Sequence, residues 1–150
     1  MLETGHIRLT VPANGLSDKG DLARTNPALK LRDMNKNRLF DCPCCGFPTL
    51  AERARYDICT VCWWEDDGQG DHDANEVLGG PNGQYSLLEA RKNFSSHGHM
   101  YKAGQGIKSV EEPTKERLLL IEFVMRAGPK NADFDLRRFY GLLEASDTSN

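Results

Sequence analysis

All five cysteines of the 150-residue chain fall between Cys42 and Cys62. Four of them form two pairs with two residues between partners, in Cys42-Pro43-Cys44-Cys45-Gly46 and Cys59-Thr60-Val61-Cys62. Thiolates at that spacing, each pair on a tight turn, can direct both sulfurs at one centre, and two such pairs complete a tetrahedral zinc site. Pro43 fixes the backbone ahead of the first turn, and Gly46 permits a conformation that lets backbone approach sulfur. Trp63 stands where the second turn would want a glycine, so only the first half of the pattern is ideal. We therefore expect Cys42, Cys45, Cys59 and Cys62 to hold one structural Zn²⁺ per chain. Four protein ligands leave no open coordination position, which argues for scaffolding rather than hydrolysis at the metal. A thioredoxin-like redox pair would want a βαβ unit beside it, and none is readable. An iron–sulfur cluster also uses four cysteines, but this spacing favours zinc. Cys44 is the odd thiol: it reads as a small free thiol at the turn, or as a substitute ligand for a neighbour.

A second group of chemistry-bearing residues follows at once. Glu65, Asp66, Asp67, Asp71, Asp73 and Glu76 bring six carboxylates into twelve residues, with His72 among them and Trp64 just ahead. Three uses are open: a solvated acidic face, a docking surface for a basic partner, or a paired-carboxylate site for Mg²⁺ or Mn²⁺ in a hydrolase or nuclease. No EF-hand register fits the segment. Trp63 and Trp64, as neighbours on a strand, should face opposite sides, one covering the zinc site and the other packing on a helix or anchoring a partner. His97 and His99 flank Gly98 and read as capping or exposed groups rather than ligands. The chain has no Gly-x-Ser-x-Gly, no phosphate-binding glycine loop and no His-Glu-x-x-His.

The elements that must position these groups are short. Leu39-Phe40, Arg55-Tyr56-Asp57-Ile58 and Trp63-Trp64 suit small strands around the knuckles. Gly79-Gly80-Pro81-Asn82-Gly83 is a turn signal. Three helices then follow. The first begins at Ser86 with Glu89 completing a capping box, shows Leu87, Ala90 and Phe94 on one face, and stops at Gly98. The second begins near Pro113 and ends before Gly128-Pro129; its run from Leu118 to Met125 is apolar almost all round, which predicts burial on most sides by its own core or by a partner. The third starts after Asp133 or Asp135, with Leu136, Phe139, Tyr140 and Leu143 forming a stripe. Upstream, His6 to Val11 suits a strand, and Leu29, Leu31 and Met34 hint at a short helix. The expected class is α+β: a small zinc-ribbon-like β core with about three packed helices. We divide the chain into a loosely ordered arm (1–38), a single domain (39–145) and a frayed tail (146–150).

Composition narrows the function. The net charge is −3, where a general nucleic-acid binder normally carries a basic excess. The charge is unevenly placed: +2 over 1–41, −5 over 42–100 and 0 over 101–150. A nucleic-acid-binding ribbon would therefore carry the wrong sign around its metal. No apolar run is long enough to span a membrane. The N-terminus shows no secretory signal, and clustered CxxC pairs suit a reducing compartment, so a cytoplasmic location is expected.

The two knuckles, the run from Tyr56 through Trp63-Trp64-Glu65-Asp66-Asp67-Gly68, and Gly80-Pro81-Asn82-Gly83 with Ser86 to Phe94 resemble the bacterial cysteine-rich CPCC domain over about residues 40–98. The resemblance implies a small companion of secreted toxins, an immunity protein that neutralises its cognate toxin by occluding a basic active site. Such a role is non-enzymatic and needs a protein partner, with Trp64, Glu65, Asp66, Asp67, Asp71, Asp73 and Glu76 as the expected binding face.

Overall fold

The computed structural model describes residues 39–148. The first knuckle is a hairpin in which β1 (Phe40–Asp41) pairs antiparallel with β2 (Pro48–Leu50), with a register irregularity between Phe40 and Asp41. Cys42 N–H donates to Phe47 O at 2.9 Å and Gly46 N–H to Cys42 O at 2.8 Å, closing the turn. Gly46 sits at φ +77°, the left-handed region that a side chain disfavours. The second knuckle repeats the pattern. Cys59 N–H donates to Trp64 O and Trp63 N–H to Cys59 O, both at 2.8 Å. Trp63 occupies the position of Gly46 and is left-handed too, at φ +69°.

The strands around the second knuckle are shorter than the sequence suggests. Only an isolated bridge joins Ile58 to Glu65. Ala54 at φ +57° and Tyr56 at φ +62° turn the chain out of extended backbone, so Arg55 to Ile58 forms no regular strand. Left-handed residues are single-residue devices and do not propagate pairing.

Four α-helices follow among the described residues: α1 (Leu87–His97), α2 (Lys108–Glu111), α3 (Lys115–Ala127) and α4 (Leu136–Thr148). The capping box at α1 forms as read: Ser86 Oγ accepts from Glu89 N–H at 3.2 Å, and Gly98 closes the helix at φ +80°. Helix α3 starts two residues after Pro113, because Thr114 Oγ1 caps Arg117 N–H at 3.2 Å. The four-residue α2 is an addition to the expected helices. Helix α4 continues through Ser146 to Thr148, into the stretch read as a tail, with Ser146 buried. The expected strand at 6–11, the helix hint at 29–34 and the arm over 1–38 lie outside the described residues.

One core forms around the first knuckle. Phe47 stacks on Phe139 of α4 (ring centroids 5.5 Å apart) and meets Phe94 of α1 edge-on (6.3 Å) and Phe134 (5.4 Å). Leu120 and Val124 of α3 join it. The apolar run of α3 is buried on one side only: Leu118 (54% exposed), Leu119 (48%) and Met125 (40%) face outward. The helix packs on α4 and the core with the remaining stripe.

Candidate metal centre

The two knuckles bring Cys42, Cys45, Cys59 and Cys62 together, all buried. Cys42 Sγ lies 3.6 Å from Cys62 Sγ, and Cys45 Sγ lies 3.6 Å from Cys59 Sγ. All four sulfurs are within 4.8 Å of one another, a cage able to hold one metal ion. Cys44 is outside this set, although its N–H reaches Cys42 Sγ at 3.4 Å. Further donors point at the sulfurs: Cys62 N–H to Cys59 Sγ at 3.5 Å and Thr49 Oγ1 to the same sulfur at 3.1 Å. Such donors stabilise thiolate over thiol.

Electrostatics alone cannot support four thiolates here. Burial pushes the Cys45 and Cys62 thiols well up. Cys42 is raised as well: hydrogen bonding with Cys45 favours its thiolate, but contacts with Cys59 and Cys62 and burial outweigh that. Burial also acts against ionisation of Cys59, yet hydrogen bonds from Cys42, Cys45, Cys62 and Thr49 bring its pKa well below the usual thiol value. Burial thus favours protonated sulfur over most of the cage, and a bound cation must displace those protons.

Two arginines grip the knuckles from behind, one from each of two helices. Arg91 of α1 donates Nε–H to Pro43 O at 2.9 Å. Arg117 of α3 donates to Thr60 O and Val61 O, and its guanidinium lies 5.2 Å from the Trp63 ring centroid. Pro43 and Thr60 hold the same position, one after the first cysteine of each knuckle. Burial disfavours the Arg117 charge, while Cys59 and Cys62 work in the opposite sense. Sequence reasoning missed both residues. An arginine in a helix has no signature for a carbonyl distant in sequence.

Part of the acidic segment is folded inward, away from the expected binding face. Trp64 is fully buried. So is Asp66, whose carboxylate accepts from Arg53 Nε (2.7 Å), Ala54 N–H (2.8 Å) and Gly68 N–H (3.4 Å). Asp67 accepts from Gln69 N–H at 3.0 Å and from Asn82 Nδ2 at 3.1 Å, and Asp73 accepts from Gly70 N–H at 2.8 Å. Glu65 enters through its backbone, exchanging bonds with the Asn82 side chain. Backbone N–H groups in irregular loops need acceptors, and these carboxylates supply them. Of the six, Asp71 and Glu76 are exposed, and Glu65, Asp67 and Asp73 are half-buried. Asp71 pairs with Arg91 at 2.7 Å, and that hydrogen bond holds its carboxyl below the usual range. The carboxylates do not converge: among the described residues, the four cysteines are the only group of three or more potential ligands placed to share an ion.

A closed, buried four-sulfur cage on paired knuckles defines a small cysteine-rich module with a candidate metal site. The chain belongs to the cysteine-rich CPCC family, whose model matches residues 40–117, more than half of its length. No curated protein and no solved structure matches the chain. No helix among the described residues is long and apolar enough to cross a membrane.

Proposed function

We propose that the chain is a non-enzymatic, zinc-binding protein-interaction module in which the metal fixes the fold. The observation that carries this reading is the closure of the cage: four buried sulfurs, with two pairs at 3.6 Å. A tetrahedral ion with Zn–S near ~2.3 Å sets its sulfurs roughly 3.8 Å apart, which these separations suit. Tetrahedral S₄ sets select zinc or iron–sulfur chemistry, and a single-ion cage favours zinc. Zinc held this way supplies folding energy and offers no site to substrate. The partner-binding part of the reading rests on outward-facing apolar residues, notably Val77 and Leu78 beside the acidic loop and Leu118 and Leu119 on α3. Neutralisation of a secreted toxin is the finer part of this proposal, and only the resemblance of the knuckles suggests it. With Trp64 and Asp66 buried, its acidic-surface form rests on exposed Asp71 and Glu76 and half-buried Glu65, Asp67 and Asp73. A cytoplasmic location fits a thiolate site that oxidation would destroy.

Elemental analysis of purified protein, with one zinc per chain expected, tests the metal role. Co-expression with the neighbouring gene product tests the interaction role through rescue of growth and co-purification. A second metal removed by Asp67→Ala with zinc retained would instead support metal-dependent hydrolysis. Zinc-loaded protein with neither a co-purifying partner nor rescue would overturn the interaction role while leaving the metal role standing.

A further inference from the structure

Four of the six buried side-chain polar atoms that lack a hydrogen-bond partner among the described residues belong to one neighbourhood: Thr60 Oγ1, Trp63 Nε1, His97 Nε2 and His99 Nδ1. They surround the outer side of the second knuckle, where two cavities share Trp63, Ser109 and Arg117 as lining. One cavity, of about 30 Å³, has room for a single water. The other, of about 180 Å³, is several times larger, yet lies below the ~300–1,000 Å³ usual for drug-sized ligands. Its polar side is Trp63, His97, His99 and Arg117. Its apolar side is Val110, Pro113, Leu118 and Ile121.

An unpaired buried polar group costs about 1–3 kcal/mol, so several at one place call for a partner. The indole N–H only donates, and the imidazoles can donate. The guanidinium adds positive charge, although two of its donors serve Thr60 O and Val61 O. A group that answers such a set carries oxygen acceptors and negative charge. The apolar wall then asks for a short hydrocarbon tail. The first knuckle uses glycine at the left-handed position, and the second accepts a tryptophan there at φ +69°. That backbone costs ~1–2 kcal/mol and is held by the surrounding structure, including the Arg117 guanidinium over the ring.

We propose that the cavity between the second knuckle, the C-terminus of α1, α2 and α3 binds a carboxylate bearing a short apolar group. The carboxylate meets Trp63 and the His97–His99 pair, and the apolar group lies against Val110, Leu118 and Ile121. The same chemistry is offered by a free short-chain acid and by the C-terminal residue of a peptide. The site makes no use of the metal and goes beyond the interaction role proposed above.

The test is an NMR titration of the full, metal-loaded chain, following the two indole N–H signals, assigned with Trp63→Phe. The probes are butyrate, a tetrapeptide ending in Leu with a free carboxylate, and the same peptide amidated. The expected result is a saturable shift of the Trp63 indole with butyrate or the acid peptide, a still Trp64 indole, and no response to the amide. The stronger of the two responding probes identifies the source. Val110→Phe, which fills the cavity from the short α2, should weaken binding about tenfold or more, a loss of roughly 1.4 kcal/mol. No saturable Trp63 shift up to about 50 mM, well beyond the millimolar range of weak binding, would overturn the proposal. So would equal binding of acid and amide, or full binding by Val110→Phe. Metal content read on each sample separates these outcomes from a failure of the zinc site.

Discussion

Arg117 offers the sharpest test of how the helices hold the metal site. Replacing it by Met keeps the packing of the stem and removes the guanidinium. Lost with it are two charge-assisted bonds to Thr60 O and Val61 O and the stacking over Trp63 at 5.2 Å. Each such bond is worth about 1.5–3 kcal/mol and an interior cation–π contact ~1 kcal/mol or more, while the buried charge no longer has to be desolvated. The net loss should be about 3 kcal/mol, a large share of the roughly 5–15 kcal/mol that holds a domain together. At ~4 °C or more per kcal/mol for a domain of this size, the melting temperature of the zinc-loaded protein should fall by roughly 10–15 °C. Zinc release to a chromogenic chelator should quicken in parallel, because the second knuckle loses its clamp. Arg117→Lys should recover less than half of the loss, since an ammonium cannot span two carbonyls in a fixed fork. Arg91→Met is the control, at about 1 kcal/mol, because it gives up one carbonyl bond and an exposed ion pair. A melting temperature within ~2 °C of wild type for Arg117→Met, with unchanged zinc release, would refute the clamp.

Cys59→Ser should abolish stoichiometric zinc, whereas Cys44→Ser should keep one zinc per chain by elemental analysis; equal loss from both would mean that Cys44 is a ligand. Zinc binding near pH 7 should release protons, read by calorimetry in buffers of different ionisation enthalpy, because Cys42, Cys45 and Cys62 are raised. The sign follows: affinity falls as pH falls, since protons compete for the thiolates, and a pH-independent affinity between pH 6 and about 8 would contradict it. Gly98→Ala places a Cβ 2.6 Å from Ile121 Cγ2 at φ +80° and should cost about 2 kcal/mol or more in urea unfolding. Asp66→Ala strands Arg53 and two backbone N–H groups and should cost about 2–4 kcal/mol, with 52–68 becoming the first region to exchange its amide hydrogens.

The metal site and the helices were legible because their rules are local. A CxxC turn is defined within six residues, and a Ser86–Glu89 cap within four. The strands expected around the second knuckle fell short for the complementary reason. Whether Arg55 to Ile58 extends depends on Asp66, which draws Ala54 N–H and Arg53 into its own coordination from twelve or thirteen residues away. The acidic segment misled in the same way. Six carboxylates in a row of polar residues look solvated, and nothing nearby in sequence announces that Arg53, Asn82 and the loop's own amides will claim Asp66, Asp67 and Asp73. Trp64 followed the alternation rule only in part: it turned inward, but its neighbour left strand geometry altogether at φ +69°. The arginine grips were invisible, since they link residues 48 and 57 positions apart.

The family match stops at residue 117, but the core does not. Phe47, directly after the first knuckle, is covered by Phe134 and by Phe139 of α4, both beyond the matched stretch, and Leu120 and Val124 lie beyond it too. The matched stretch is therefore not a freely transplantable cassette. A relative that joined it to a different C-terminal extension would have to evolve a new aromatic lid for the Phe47 position, or recruit one from another chain. Recombination at that boundary trades one folding problem for another, which ties the history of the knuckles to that of the helices that follow them.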